Sequence, residues 1–337
     1  MNKTLNSCTE YRKVSFPVFI FLSVFIIFAA ACRKAKTAED RCTPCDCQPI
    51  PPSPSDQGYN FLSGNFSIKS TSFNPNNDDE LVYSVINYSN GDRAVFKYDL
   101  TLEESVKIYD GQVKGDLGWG VNDWVLFTTI SGHLWKVKSS GDSLTQLTFF
   151  GGASSSQWNS TADSIVFRKS AENISVVTDQ NGNALDTLSD SFSGLGQSWN
   201  HPKYLSSTRL GFLTIKNIKD STITNIHTLE DDRYLYQGCE DSELATGGVE
   251  LVNDDIYYSH SLGIFKTDIN GSSPVMIKES CTSQFYKNPS VNHSKNKLLF
   301  VRWDQKVVGD NENSVLTTQT LVTMNLDGSN EVELEVN

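Results

Sequence analysis

The stretch Gln157-Trp158-Asn159-Ser160-Thr161-Ala162-Asp163-Ser164-Ile165-Val166-Phe167 joins a tryptophan, a polar turn and a short apolar run. Its last three residues follow the order aliphatic, any residue, aromatic. The same order recurs at Leu81-Val82-Tyr83, Val125-Leu126-Phe127, Leu210-Gly211-Phe212, Ile256-Tyr257-Tyr258 and Leu298-Leu299-Phe300. The first members of these triplets are 44, 40, 45, 46 and 42 residues apart. A repeat of this length is typical of propellers and other arrays.

The segments around each triplet predict β-strands. Runs such as His133–Val137 and Gly263–Asp268 alternate in polarity, as half-buried strands do. Turns such as Asn181-Gly182 and Asn270-Gly271 follow them, and glycine there permits a tight hairpin. A final short strand such as Ala184–Leu188 closes each unit. The pattern therefore predicts an all-β, six-bladed β-propeller of four-stranded antiparallel blades.

Two parts of the repeat carry a family resemblance. The residues Gln146-Leu147-Thr148, Gln157–Phe167 and Ile174-Ser175-Val176 resemble the WD40-like repeat of TolB-type propellers, written L-T, W-S-P-D-G-x-x-I-x-F and I-x-V. The stretch Asn288–Phe300 is similar, although both copies lack the Pro-Asp-Gly turn. The resemblance implies the propeller fold and a cell-envelope setting. It does not carry over a particular partner.

The N-terminal residues predict the cellular location of the protein. Lys3, Arg12 and Lys13 precede an uncharged run that ends in Phe28-Ala29-Ala30-Ala31, directly before Cys32. A basic start, an apolar middle and small residues at the exit are typical of a secretory signal. The small residues before cysteine resemble a lipobox, with Ala29 in place of the usual leucine. We expect a lipoprotein signal peptide at 1–31 and lipid attachment at Cys32; the alternative is an uncleaved membrane anchor.

Residues 32–58 are predicted to form a flexible tether, because they contain five of the chain's 10 prolines. This segment contains a cluster of three cysteines, Cys42, Cys45 and Cys47. We expect disulfide formation there; the alternative is a site for a soft metal. Further along, Cys239 and Cys281 are 42 residues apart, which is close to the repeat length. We expect these two cysteines to lie on neighbouring units and to form a candidate disulfide.

Composition and motifs limit the classes of function. The 28 basic residues against 40 acidic ones give a net charge of −12, which argues against nucleic acid as a partner. The sequence has no G-x-S-x-G, H-E-x-x-H or P-loop motif, so we expect no enzyme, no cofactor and no metal site. His201 and His293 follow first-strand motifs and are candidates to face the axial funnel. Trp119, Trp158 and Trp199 either line that funnel or pack between blades.

These features together predict a lipid-anchored protein of the cell envelope, at the outer membrane, with a propeller over 59–337. We expect it to act as a protein–protein interaction scaffold for envelope proteins. The loops 237–246 and 307–318 are the candidate contact surfaces, because loops on a rigid scaffold usually carry recognition. The alternatives are binding of a glycan or small molecule in the axial funnel, and an enzyme that uses funnel carboxylates.

Overall fold

The computed structural model describes residues 60–188, 197–200, 203–207, 212–217, 222–227, 248–260, 263–280, 283–308 and 314–336. The predicted signal peptide and tether, including Cys32, lie outside these residues. The regular elements in the described ranges are 25 β-strands. None of these ranges contains a helix long and apolar enough to cross a membrane.

Strand β1 (Asn60–Ser63) precedes a series of sheets, each built from strands that are consecutive in the chain. Sheet I contains β2 (Phe66–Asn74), β3 (Asn77–Asn87), β4 (Arg93–Asp99) and β5 (Glu104–Asp110). Sheet II contains β6 (Val113–Trp119), β7 (Trp124–Thr129), β8 (Leu134–Lys138) and β9 (Thr145–Gln146). Sheet III contains β10 (Ala153–Trp158), β11 (Ser164–Lys169), β12 (Ile174–Asp179) and β13 (Ala184–Leu188).

The second half of the chain repeats the arrangement. Sheet IV contains β14 (Gln197–Asn200), β15 (Lys203–Ser207), β16 (Phe212–Asn217) and β17 (Ile223–His227). Sheet V contains β18 (Val249–Val252), β19 (Asp255–His260), β20 (Gly263–Asp268) and β21 (Val275–Glu279). Sheet VI contains β22 (Gln284–Val291), β23 (Lys297–Val308), β24 (Ser314–Asn325) and β25 (Val332–Leu334).

The prediction of four antiparallel strands in every blade holds for five sheets and is wrong for sheet VI, which has five strands. There β1 pairs in parallel with β24, from Asn60 opposite Ser314 to Ser63 opposite Thr317. Strand β25 pairs with the other half of β24. Because β24 is 12 residues long, one strand has room for both partners. The two ends of the propeller therefore meet in one sheet.

The apolar triplets are explained by burial on both faces of the second strand. Leu81 and Tyr83 pack in a cluster with sheet VI, whereas Val82 packs in the cluster with sheet II. Likewise, Val125 and Phe127 face sheet I, and the intervening Leu126 faces sheet III. The middle residue must therefore be apolar as well.

The triplet at 210–212 was predicted to lie on a second strand, and this is wrong. The second strand of sheet IV is β15, and Phe212 begins the third strand. Residues Lys203–Ser207 occupy the second-strand position instead, where they pair with both β14 and β16.

The first strands of the sheets surround an axis. Strands β2, β6, β10, β14, β18 and β22 contact one another in that order, and β22 also contacts β2. A buried cluster of Leu299, Val301 and Leu321 from sheet VI with Leu81 and Tyr83 from sheet I lies at this last junction. The described residues thus form a β-propeller with an axial channel.

Candidate functional site

An axial cavity of about 510 Å³ lies between the first strands β2, β6, β10, β18 and β22. This volume is in the range of small-molecule sites. The turns that follow these strands form its mouth, and they contribute residues such as Asn76, Val121, Ser160, Asn253 and His293. The cavity is therefore a funnel with a polar rim, and we call this rim the mouth.

Two of the mouth turns have a residue other than glycine at the glycine position of the motif, and this residue has the left-handed backbone conformation that favours glycine. Ala162 and Lys295 stand where the TolB-type repeat has glycine, and their φ angles are +52° and +54°. The Asn159 Oδ1 atom accepts hydrogen bonds from the N–H groups of Asp163 and Ser164, at 3.1 and 3.3 Å. Asn292 closes the corresponding turn of sheet VI in the same way. A side-chain amide thus holds each of these two turns in place of Pro-Asp-Gly.

Side chains join the first strands of neighbouring sheets along the cavity wall. Ser70 Oγ accepts a hydrogen bond from Leu117 N at 2.9 Å, and Ser72 Oγ accepts one from Trp119 N at 3.2 Å. At the junction of sheets VI and I, Ser290 Oγ accepts a hydrogen bond from Phe73 N at 3.4 Å. The described first strands form no backbone ladder with each other, so these bonds connect adjacent sheets.

Asp116 performs a similar function between sheets II and III. Its Oδ2 atom accepts hydrogen bonds from Ser155 N at 2.9 Å and from Thr128 Oγ1 at 2.8 Å. Asp116 has a φ of +60°, so the strand bulges at this point and turns the carboxylate toward the next sheet. This cavity-lining carboxylate is therefore already satisfied within the protein.

Glu250 on β18 is different. Its neighbour Leu251 pairs with Ile256, the first triplet residue of sheet V, just as Phe73 pairs with Leu81 in sheet I. Glu250 is thus the counterpart of Ser72 and lines the cavity. Its carboxyl group forms no hydrogen bond or ion pair with any residue that the structure describes. Burial raises the pKa of Glu250 to about 8.

The mouth and the N-terminal strand lie on opposite rims. In sheet VI, Lys297 pairs with Asn325, so the mouth turn at 292–296 lies at the end of β24. Asn60 pairs with Ser314 at the start of the same strand. A strand of 12 residues separates these two points by about 35 Å. The chain before residue 60 therefore joins the propeller at the rim away from the mouth.

Of the predicted site residues, His293 lies at the mouth with an exposed side chain. Cys32, Cys239, Cys281 and His201 lie outside the described residues, as does the predicted loop 237–246. In the predicted loop 307–318, β23 continues to Val308 and β24 begins at Ser314, so most of this segment is strand. The described ranges contain no cluster of three possible metal ligands.

Trp119 and Trp158 are 5% and 6% exposed and belong to the apolar clusters between sheets. Both residues also line the axial cavity, so the two interpretations offered by the sequence hold together for them. The side chain of Trp199 is outside the described set. Sequence reasoning missed Glu250, since a single glutamate in Val249-Glu250-Leu251-Val252 has the pattern of an ordinary amphipathic strand. Its repeat position was the available signal.

Comparisons with solved structures support the propeller fold. A protein from Agrobacterium tumefaciens provisionally assigned as TolB has 14% identity and a TM-score of 0.52, over 71% of this chain and 86% of that one. The β-propeller domain of the trilobed protease from Pyrococcus furiosus has 8% identity and a TM-score of 0.52, over 82% and 97%. The acylaminoacyl peptidase of Pyrococcus horikoshii has 10% identity and a TM-score of 0.53, over 85% and 54%.

At these identities the likeness extends to the fold alone. No protein-family model matches the sequence, and no curated protein matches it.

Proposed function

We propose that this chain is a lipid-anchored binding module of the cell envelope, in which the six sheets act as the blades of one closed ring. The observation that carries the proposal is the placement of the mouth on the rim opposite β1. A tether that precedes β1 leaves the mouth free to meet a partner. The lipobox-like residues before Cys32 support attachment to a membrane.

We propose an envelope protein as the partner and the mouth as its contact surface. The mouth consists of short turns fixed by buried or partly buried hydrogen bonds, such as those of Asn159 and Asn292. Rigid turns reduce the conformational entropy lost on binding. The TolB-like fold supports an envelope setting, and we place the protein at the outer membrane.

We propose binding rather than catalysis as the activity. Of the structural neighbours named above, one is an acylaminoacyl peptidase and one is the β-propeller domain of a protease, but the sequence has no G-x-S-x-G nucleophile elbow. Asp116, a carboxylate of the cavity wall, is occupied by Ser155 and Thr128. A second candidate function is the binding of a small molecule in the funnel, which is favoured by the volume of the axial cavity.

Site-specific photocrosslinking of the full chain in cells tests the partner. A benzophenone amino acid would replace Asn76 or Val121 at the mouth, and Phe149 at the opposite rim as the matched control. Phe149 is 81% exposed and precedes β10, whose other end forms the mouth. We expect one envelope protein to be crosslinked from the mouth positions only. Crosslinks from Phe149 alone would overturn the proposed surface.

The membrane anchor is tested separately by radioactive palmitate labelling of the full chain. We expect label on the wild-type chain and none on Cys32→Ala, which should also leave the membrane fraction. Equal labelling of both chains would contradict lipid attachment at Cys32.

A further inference from the structure

Glu250 differs in charge from the other described residues at its repeat position, which are Ser72, Gly118, Gln157 and Ser290. At the equivalent position, Ser72 and Ser290 each have a short hydroxyl that accepts a backbone hydrogen bond from the next first strand. Glu250 has a longer, ionisable side chain and does not make this bond to any described residue. The junction of sheets V and VI therefore lacks the serine connector that joins sheets I and II and sheets VI and I.

The surroundings of Glu250 make an unpaired carboxylate unfavourable. Val249 and Leu251 on either side are each 5% exposed and pack with sheet IV. On the other side, Val252 packs in the cluster shared by sheets V and VI. Glu250 itself is half-buried. Removing a charge from water without a partner is unfavourable, and such a group is a candidate to serve a ligand or a catalytic step.

We propose that the axial cavity binds an organic cation, an alkylammonium or alkylguanidinium group, through an ion pair with the Glu250 carboxylate. The cavity of about 510 Å³ accommodates such a group together with several atoms of its parent molecule. Asn253 and Asn288 also line the cavity, and their side-chain oxygens are acceptors for further N–H groups. The inference deepens the proposed function, because it rests on the mouth being the binding face.

The cation has two possible sources with the same chemistry. It belongs either to an arginine or lysine side chain of the partner protein, or to a free small molecule. A funnel that opens at the mouth admits both. The two sources differ in the length of the chain to which the cation is attached, so probes of different length distinguish them.

Several charged and titratable groups lie on the strands around Glu250. On β19, Tyr257 pairs with Glu250, and its ring carries the Lys266 ammonium at 5.5 Å. On β22, the ammonium of Lys287 lies 4.0 Å from the centroid of Trp303. The remaining described ionisable groups of the cavity are Asp116, His293 and Lys295, and on the strands β14 and β15 the ionisable residue types are Lys203 and Tyr204.

Binding of a cation requires the ionised form of Glu250. At a pH below about 8 the carboxyl group must first lose its proton, so the affinity decreases as the pH falls. Over the range from pH 8 to pH 6, full linkage gives about a tenfold decrease for each pH unit.

Isothermal titration calorimetry on the full chain in detergent tests the site. The probe is methylguanidinium, and the neutral compound N-methylurea, which has a similar shape, is its control. We expect methylguanidinium to bind at pH 8.5, with about tenfold lower affinity at each lower pH unit, and N-methylurea not to bind. Glu250→Gln and Glu250→Ser should each lower the affinity at least tenfold, whereas Glu104→Gln at an exposed site should not change it.

A third probe, a peptide with a single internal arginine, distinguishes the sources. Binding of the peptide as tight as that of methylguanidinium indicates a protein side chain, and exclusion of the peptide indicates a free small molecule. Equal binding of N-methylurea, or an unchanged affinity in both Glu250 variants, would overturn the proposal. The crosslinking result for the mouth is independent of these titrations, so failure here leaves the partner proposal standing.

Discussion

Two junctions of the same propeller use one repeat position in opposite ways. Between sheets I and II, the hydroxyl of Ser72 accepts a hydrogen bond from Trp119 N and connects the first strands. Between sheets V and VI, the corresponding Glu250 is a half-buried acid without a described partner. The difference indicates that the wall near Ser72 is built for stability, whereas the ionised carboxylate in the wall at Glu250 has a cost that protonation or a cationic ligand offsets.

The largest expected effect is the change in the free energy of unfolding when Glu250 is replaced. The pKa of Glu250 is raised from 4.5 to about 8, so its contribution to stability is fully present below pH 4.5 and is lost as the pH rises to about 8. Glu250→Gln should therefore increase the free energy of unfolding at pH 8.5 by on the order of 3 kcal/mol, and change it little at pH 4.5. Urea denaturation at both pH values measures this.

The matched control for this prediction is Glu104→Gln, on the exposed surface of β5. It should have the same stability as the wild type at both pH values. A Glu250→Gln variant that is less stable than the wild type at pH 8.5 would mean that the carboxylate has a structural partner.

The next effect concerns the junction at which the ring closes. The buried Gln319 Oε1 atom accepts a hydrogen bond from Ile68 N at 2.7 Å, and Gln319 Nε2 donates one to Ser67 Oγ at 3.0 Å. Gln319→Ala leaves a buried N–H without this acceptor and should lower the free energy of unfolding by about 2 kcal/mol. Gln112→Ala, at an exposed site, is the control; equal melting temperatures of the two variants would contradict a role in closure.

A smaller loss of stability is expected when the serines that connect neighbouring sheets are replaced. Ser72→Ala and Ser290→Ala each remove one hydrogen bond between sheets and should lower the free energy of unfolding by about 1 kcal/mol. Ser160→Ala, at an exposed mouth position, should have no effect beyond a few tenths of a kcal/mol. Thermal unfolding curves distinguish these cases, and a neutral Ser72→Ala would weaken the assignment of this position as a connector.

The smallest change in stability is expected for substitutions in the mouth turns. Lys295 has a φ of +54° and an exposed side chain, so Lys295→Gly removes the left-handed strain and should stabilise the fold by about 0.5–1 kcal/mol. Ser160→Gly, in the corresponding turn of sheet III, has no positive φ to relieve and should slightly destabilise it. The reverse order of the two variants in a urea titration would refute this account of the turns.

The sequence predicts the sheets well where a strand is buried on both faces. Triplets such as Leu81-Val82-Tyr83 must be apolar at all three positions, so they mark the second strand. The rule fails at 210–212, because the second strand of sheet IV is Lys203–Ser207 and Phe212 begins the third. The partner of strand β1 is not predicted, since a strand of four residues is too short to carry a pattern that favours one sheet over another. Its place beside β24 follows from three-dimensional closure.

The candidate site is less predictable than the fold. His293 was placed near the funnel because it follows a first-strand motif, and it lies at the mouth. The only signal for Glu250 is its repeat position, because alternation alone assigns a glutamate between Val249 and Leu251 to a solvated face. Only the closure of the ring turns that face toward the axial cavity.

We propose that Glu250 is a half-buried acid, without a partner among the described residues, that binds a cation. Carbon-13 NMR of the glutamate carboxyl groups, assigned with Glu250→Gln, measures its titration directly. The account predicts a titration midpoint near pH 8, which moves to lower pH when methylguanidinium is added. A midpoint near the ordinary value for glutamate, unchanged by methylguanidinium, would contradict it.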